Sequence, residues 1–124
     1  MSLDDVSSVD AHYQQGLRLA RQGAFFEAHE ELELAWRTCA AEERDFFQGL
    51  VHVVVSAYQR GRGKPVAAES QRQKAVRRLG PYAPAHRGLD VALLLARLEA
   101  AEADPREDLV ERNPEPPVAP EEQQ

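Results

Sequence analysis

The chain predicts an all-α fold: a compact multi-helix bundle of about five helices in a single domain. Apolar residues recur every three or four positions through most of the first hundred residues, and glycine or proline closes most of these runs. The one β-branched run, Val-His-Val-Val-Val at 51–55, lies inside a stretch of about twenty residues, too long for an ordinary strand. With 124 residues, 43% of them hydrophobic, the chain is long enough for one core and short for two.

Residues 1–8 are polar and are expected to be loose. Ser8 or Asp10 caps a first helix running to about Gln22, with Tyr13, Leu17 and Ala20 on one stripe and Gly23 as its stop. The second helix follows at once and repeats Phe25, His29, Leu32, Trp36 and Cys39 at helical spacing. A third begins near Ala41, with Glu42, Glu43 and Asp45 suited to the positive end of its dipole, and runs to about Gly61; Phe46, Leu50, Val53, Val54 and Ala57 form its apolar face. Gly49 inside it is tolerated where another helix approaches closely. Pro65 opens a fourth helix, stopped by Gly80-Pro81, and a loop then leads to a fifth from Leu89 to about Ala103 with Val91, Leu94, Leu95 and Leu98 inward. The domain spans 9–103, and residues 104–124, rich in proline and acids, read as a disordered tail.

No apolar run approaches the roughly 18 residues of a membrane span, and the N-terminus lacks a basic start followed by an apolar segment, so a cytoplasmic protein without membrane association is expected. The single cysteine, Cys39, forms no internal disulfide and is expected to act as a small apolar residue near a helix end. The net charge of −6 resides mostly in the tail. Within the domain, residues 1–45 are acidic, whereas 60–78 carry seven bases and one acid, Glu69. Clustered bases on a helix can follow phosphates, which makes residues 72–78 a candidate for RNA. Without interleaved aromatics, and in an acidic chain, a solvated face is the favoured reading and nucleic acid is not the expected partner.

The constellation of interest lies in helices two and three. If they form an antiparallel hairpin, residues whose numbers sum to about 81 lie level, which sets His29 against His52 and Glu33 against Gln48. Imidazole and carboxylate at one-turn spacing on facing helices is how bundles hold iron, manganese or zinc, so His29, Glu33 and His52 are the candidate ligands for a divalent metal. The second histidine of HExxH is absent, as is a repeated ExxH pair, and no cofactor is predicted. The bland alternative is a hydrogen-bonded polar network of His29 and Glu33 with Arg44 or Gln48. Trp36 reads as core, its indole N–H seeking an acceptor. No nucleophile–base arrangement stands out.

Gly23, Ala28 and Ala35 recur forty positions later as Gly63, Ala68 and Ala75, and the first hairpin, with Gly16, Gly23, Phe25, Ala28 and Ala35, is similar to one tetratricopeptide unit. Small residues wherever two helices pack closely account for most of this. The segment Gly-Ala-Phe-Phe-Glu-Ala-His-Glu-Glu-Leu-Glu-Leu-Ala-Trp at 23–36, followed by Arg44, Phe46 and Gln-Gly-Leu-Val at 48–51, resembles the domain of unknown function family numbered 309, over roughly residues 10–80. The resemblance implies a compact bacterial or archaeal helical domain with a His-Glu-x-x-Glu-x-x-Trp hallmark and no assigned reaction. Onto that hallmark fall His29, Glu30, Glu33, Trp36 and Arg44, in a structural or binding capacity. The family often carries glutamine where this chain has His52, and commonly histidine where it has Gln59. The expected role is a non-enzymatic protein-interaction or self-association module. The alternatives are an acid–base or metal-dependent hydrolase using His29 and Glu33, and RNA binding through the fourth helix.

Overall fold

The computed structural model describes residues 3–100 and 105–111. These form six helices: α1 (Leu3–Arg21), α2 (Phe25–Thr38), α3 (Arg44–Gly61), α4 (Pro65–Leu79), α5 (Val91–Glu99) and the single turn α6 (Pro105–Asp108). A two-stranded antiparallel hairpin, β1 (Ala85–His86) and β2 (Leu89–Asp90), separates α4 from α5. The fold is the expected all-α bundle. α1, α2, α3 and α4 pack each on the next, so the domain is built from two helical hairpins, α1–α2 and α3–α4, joined through α2 and α3. No helix among the described residues is long and apolar enough to cross a membrane.

The core follows the helical stripes. Tyr13, Leu17 and Ala20 of α1, Ala28, Leu32 and Ala35 of α2, and Phe46, Leu50, Val53 and Val54 of α3 are buried, joined by Leu79, Val91, Leu94 and Leu98. The β-branched run of α3 is helical because it supplies one side of this core, and burial of each such side chain outweighs its lower helix propensity by roughly 1.5–3 kcal/mol against a few tenths.

The forty-residue repeat is deeper than its glycines and alanines. Gly23 and Gly63 both have positive φ, at 79° and 74°. Each donates its N–H to the carbonyl three residues back, and the next residue donates to the carbonyl five back, Ala24 to Leu19 and Lys64 to Gln59. This closing turn favours glycine because a Cβ is strained at positive φ. Ala28, Ala35, Ala68 and Ala75 are all buried. The ring of His12 bonds Glu31 at 2.8 Å, and forty residues on His52 bonds Gln71 at 2.7 Å. The two hairpins thus share turn geometry, close-packed positions and a histidine cross-link.

Close approach also explains two helical glycines. A Cβ on Gly16 would lie 2.7 Å from Leu32 Cγ, and one on Gly49 2.6 Å from Leu79 Cγ, so α4 is the helix whose approach Gly49 permits.

Four boundaries differ from expectation. α1 begins at Leu3, inside the segment read as loose, and the third helix opens with a 3-10 turn at Ala41–Glu43. The fifth helix starts two residues late, at Val91, because Leu89 and Asp90 pair as β2, and the Asp90 carboxylate accepts from Leu93 N–H as a helix cap at 2.9 Å. Residues 105–111, assigned by composition to the tail, return to the bundle. Leu109 is fully buried, Arg97 Nε donates to Asp108 at 2.7 Å, and Leu89 bridges to Glu111. One buried leucine, one charge-assisted hydrogen bond and one backbone bridge anchor a segment that its prolines and acids alone would leave unfolded. The remainder of the expected tail, 112–124, lies outside the described residues, as do 101–104.

Gly49→Ala is expected to destabilise the domain by about 1 kcal/mol, since overpacking against Leu79 costs more than the gain in helix propensity. Gly61→Ala, with nothing within 4 Å of the added Cβ, is expected to be neutral or mildly stabilising. Denaturant melts of the two variants check the contrast.

Candidate binding site

α2 carries the hallmark. Its inward stripe of Ala28, Leu32 and Ala35 fixes the helix on α1 and α3, and this turns His29 and Glu33 to the rim and Glu30, Leu34 and Arg37 outward. His29 Nε2 contacts Glu33 Oε2 at 2.9 Å across one turn, and Arg37 Nη2 donates to the other carboxylate oxygen at 3.1 Å. Glu33 is therefore shared by an imidazole and a guanidinium on its own helix. Phe26 stacks against His29 and against Tyr58 of α3, with ring centroids 5.8 and 5.6 Å apart. Two shallow clefts flank these rings. One of about 160 Å³ is lined by Phe25, Phe26, His29, Val55, Tyr58 and Gln59, and one of about 250 Å³ by Phe26, His29, Glu30, Glu33, Leu34 and Arg37.

The remaining predicted residues are dispersed. His29 faces Val55, Tyr58 and Gln59, not His52, because the extended Cys39 and Ala40 and the 3-10 turn lengthen the connection and shift the register of α3 by about one turn. His52 turns to α4, where Nδ1 donates to Gln71, and burial together with Arg78, Lys74 and Arg77 holds its pKa below the usual histidine value. The proposed grouping of His29, Glu33 and His52 is thus not formed, and no group of three His, Cys, Asp or Glu among the described residues is arranged to hold a metal ion. Arg44 does not join the His29–Glu33 pair; its guanidinium lies 4.6 Å over the Trp36 ring. Trp36 packs partly buried against the core, and its Nε1 finds no acceptor among the described residues. Gln48 is half-buried on α3. Cys39 donates to the Trp36 carbonyl at 3.3 Å as a half-buried helix-end residue. In the basic segment, Arg62 is tied to the Tyr58 hydroxyl, Arg72 to Glu69 and to the Leu98 carbonyl, and Arg78 to Asp45, so three of its bases already have partners.

A second cluster went unread in the sequence. Arg87 and Gly88 form the two-residue turn of the β1–β2 hairpin, both at positive φ, 49° and 78°. Arg87 makes a two-pronged contact with Glu43, Nε to Oε1 at 2.6 Å and Nη2 to Oε2 at 2.7 Å, and lies over the rings of Tyr13 and Phe47. His86 contacts the same carboxylate at 2.8 Å and stands edge-on to Phe46, while Tyr13 Oη donates to the Arg87 carbonyl at 3.0 Å. The Arg87 guanidinium and His86 hold the Glu43 carboxyl below its usual range against a burial effect of opposite sign, and burial pushes the Tyr13 phenol upward. Every polar group in this cluster is engaged inside the protein, which makes it a structural clasp. The only sequence signal was the Arg87-Gly88 pair, a weak turn motif beside the Asn-Gly type.

With this geometry in hand, the comparison with known families bears on α2 and α3. Residues 13–71 match the family described as Domain of unknown function (DUF309). No curated protein and no solved structure matches the chain. The DUF309 match covers the second half of α1, all of α2 and α3 and the first half of α4, and so contains both the His29–Glu33–Arg37 row and the close contact of Gly16 with Leu32. The β1–β2 hairpin, α5 and α6 lie outside it, although the hairpin's partners Tyr13, Glu43 and Phe47 lie inside.

Because the folded-state pKa of Glu43 lies below its ordinary value of 4.5, its stabilisation is complete above that value and is lost as pH falls through the lowered one. Glu43→Gln is expected to cost roughly 1–3 kcal/mol at neutral pH and to remove this part of the acid dependence. Thermal melts of both proteins between pH 3 and about pH 7 test it.

Proposed function

We propose that this chain is a non-catalytic interaction domain that pairs with a second copy of itself through the outward face of α2. The observation that carries the reading is the composition of that face. Phe26 and Leu34, 48% and 36% exposed, are two of the three exposed large hydrophobic residues among the described residues, and they sit on a helix that lies wholly within the DUF309 match. Around them the charge is graded along the helix, with Glu27 and Glu30 toward its start and Arg37 in its last turn.

An antiparallel copy of such a helix turns each Arg37 toward the acidic start of the other and brings the apolar side chains together across a two-fold axis, the self-complementary pattern a symmetric dimer requires. Phe26 is held in place by Tyr58 and His29, so little side-chain freedom is lost on association. A face only 14 residues long, about 21 Å, fits a weak, reversible dimer better than a permanent one. The His29–Glu33 contact at 2.9 Å beside a cleft supports a second reading, an acid–base or metal-dependent hydrolase. Turnover of phosphoesters or esters that disappears in Glu33→Ala would favour it.

Sedimentation velocity over a concentration series is expected to show a monomer–dimer equilibrium for the full chain. Phe26→Glu should abolish it, and Arg37→Glu should weaken it at least tenfold. Combining Glu27→Arg with Arg37→Glu should restore association. A strict monomer at every concentration, or a dimer indifferent to Phe26→Glu, would sink the proposal.

A further inference from the structure

A cavity lies away from α2's outward face. It measures about 300 Å³ and opens between α3, α4 and the segment that returns through α5 and α6. Phe25, Val53, Ala57 and Leu98 give it an apolar interior, and the Ser56 hydroxyl on its wall is already spent, donating to the Ala68 carbonyl at 2.8 Å. Three arginines line it, Arg60, Arg72 and Arg106.

The repeat shows how this cavity arises. Counting back forty residues, Ala57 corresponds to Leu17, Arg60 to Ala20 and Arg72 to Leu32, all three fully buried in the first hairpin. The face that the first hairpin fills with leucine is, in the second, hollow and basic. Arg72 is not the group in search of a ligand. It makes two contacts with Glu69, holds that carboxyl down to about 2, and donates Nη1 to the Leu98 carbonyl at 2.9 Å. Arg60 differs: it is exposed at the mouth and makes no ion pair or side-chain hydrogen bond among the described residues.

We infer that this cavity binds a small amphiphile with a single anionic head, a carboxylate on an apolar body of roughly ten heavy atoms, the number of water-sized volumes it holds. The apolar body fills the space between Phe25, Val53, Ala57 and Leu98, and the carboxylate takes the Arg60 guanidinium in the forked geometry that suits it. The volume is at the lower end of ordinary ligand sites, and an apolar lining with a few placed polar groups is their usual character. The charge at the mouth selects the sign of the head group, and the volume limits the size of the body.

Isothermal titration of the full chain with decanoate, below the concentration at which it forms micelles, tests the assignment. One site with micromolar affinity is expected, with decanol and decyltrimethylammonium each at least tenfold weaker. Arg60→Glu, a substitution at an exposed position, should weaken decanoate at least tenfold while leaving the circular dichroism spectrum unchanged. Ala57→Leu, which restores the residue type of the first hairpin, should exclude the ligand by filling its space. Equal binding of decanoate and decanol, affinity unmoved by Arg60→Glu, or no binding of decanoate would each overturn it.

Discussion

The contact between Glu43 and Arg87 is the constraint that joins the parts of this fold. Glu43 lies in the turn that starts α3, Arg87 at the tip of the hairpin between α4 and α5, and the guanidinium between them covers Tyr13 of α1 and Phe47 of α3. An arginine at φ 49° is in a sparsely populated backbone region, a conformation that persists where surrounding contacts over-determine it. Here they do: two bonds to the carboxylate, two aromatic faces, and the Tyr13 hydroxyl on the arginine's own carbonyl. The clasp shuts one end of the aromatic cluster of Tyr13, Phe46 and Phe47 and positions β2, against which Glu111 bridges. The chain beyond α4 is thereby tied to the helices before it.

Local periodicity made the helices legible, because each needs only its own apolar stripe and its stop. Pro65, Gly23 and Gly63 mark ends that any three-dimensional arrangement would share, and Gly49 announced a close neighbour before α4 could be named as that neighbour. What stayed hidden depends on contacts between distant residues. The order of 105–111 follows from Leu109 finding the core, and nothing in the local composition of Pro, Arg, Glu and Asp reports that. The same holds for Arg87, read as part of a loop, whose partner is 44 residues away.

Placing His29 level with His52 assumed a tight connection, and the extended Cys39 and Ala40 add enough chain to move α3 by about a turn, so Val55 stands near where His52 was expected, with Tyr58 and Gln59 one turn further along. A second constraint acts in the same direction. His52 is the repeat counterpart of His12, and each is used within its own hairpin to bond α4 or α2. A histidine committed to holding one hairpin together is not available across the interface between hairpins. The hallmark residues consequently serve different partners: Glu33 links His29 and Arg37, Arg44 covers Trp36, and Gln48 lies elsewhere on α3.

Divergence between the two hairpins then separates the surfaces on which binding can evolve. The constraints they keep are those of close helix packing, the glycine turn, the buried alanines and the histidine cross-link, and a change at any of these would strain the hairpin itself. The positions they do not share are the ones free to vary. The first hairpin presents Phe26 outward on a helix with acids toward its start and Arg37 in its last turn; the second has Val66 at the matching place, 83% exposed. Inward, the first hairpin fills its face with Leu17 and Leu32, whereas the second substitutes Ala57 and Arg72 and leaves a cavity that the returning C-terminal segment only partly covers. An outward apolar face on one unit and an inward basic hollow on the other arise on the same hairpin geometry, because the second hairpin keeps the glycine turn and the buried alanines while Ala57 and Arg72 stand where the first hairpin packs Leu17 and Leu32.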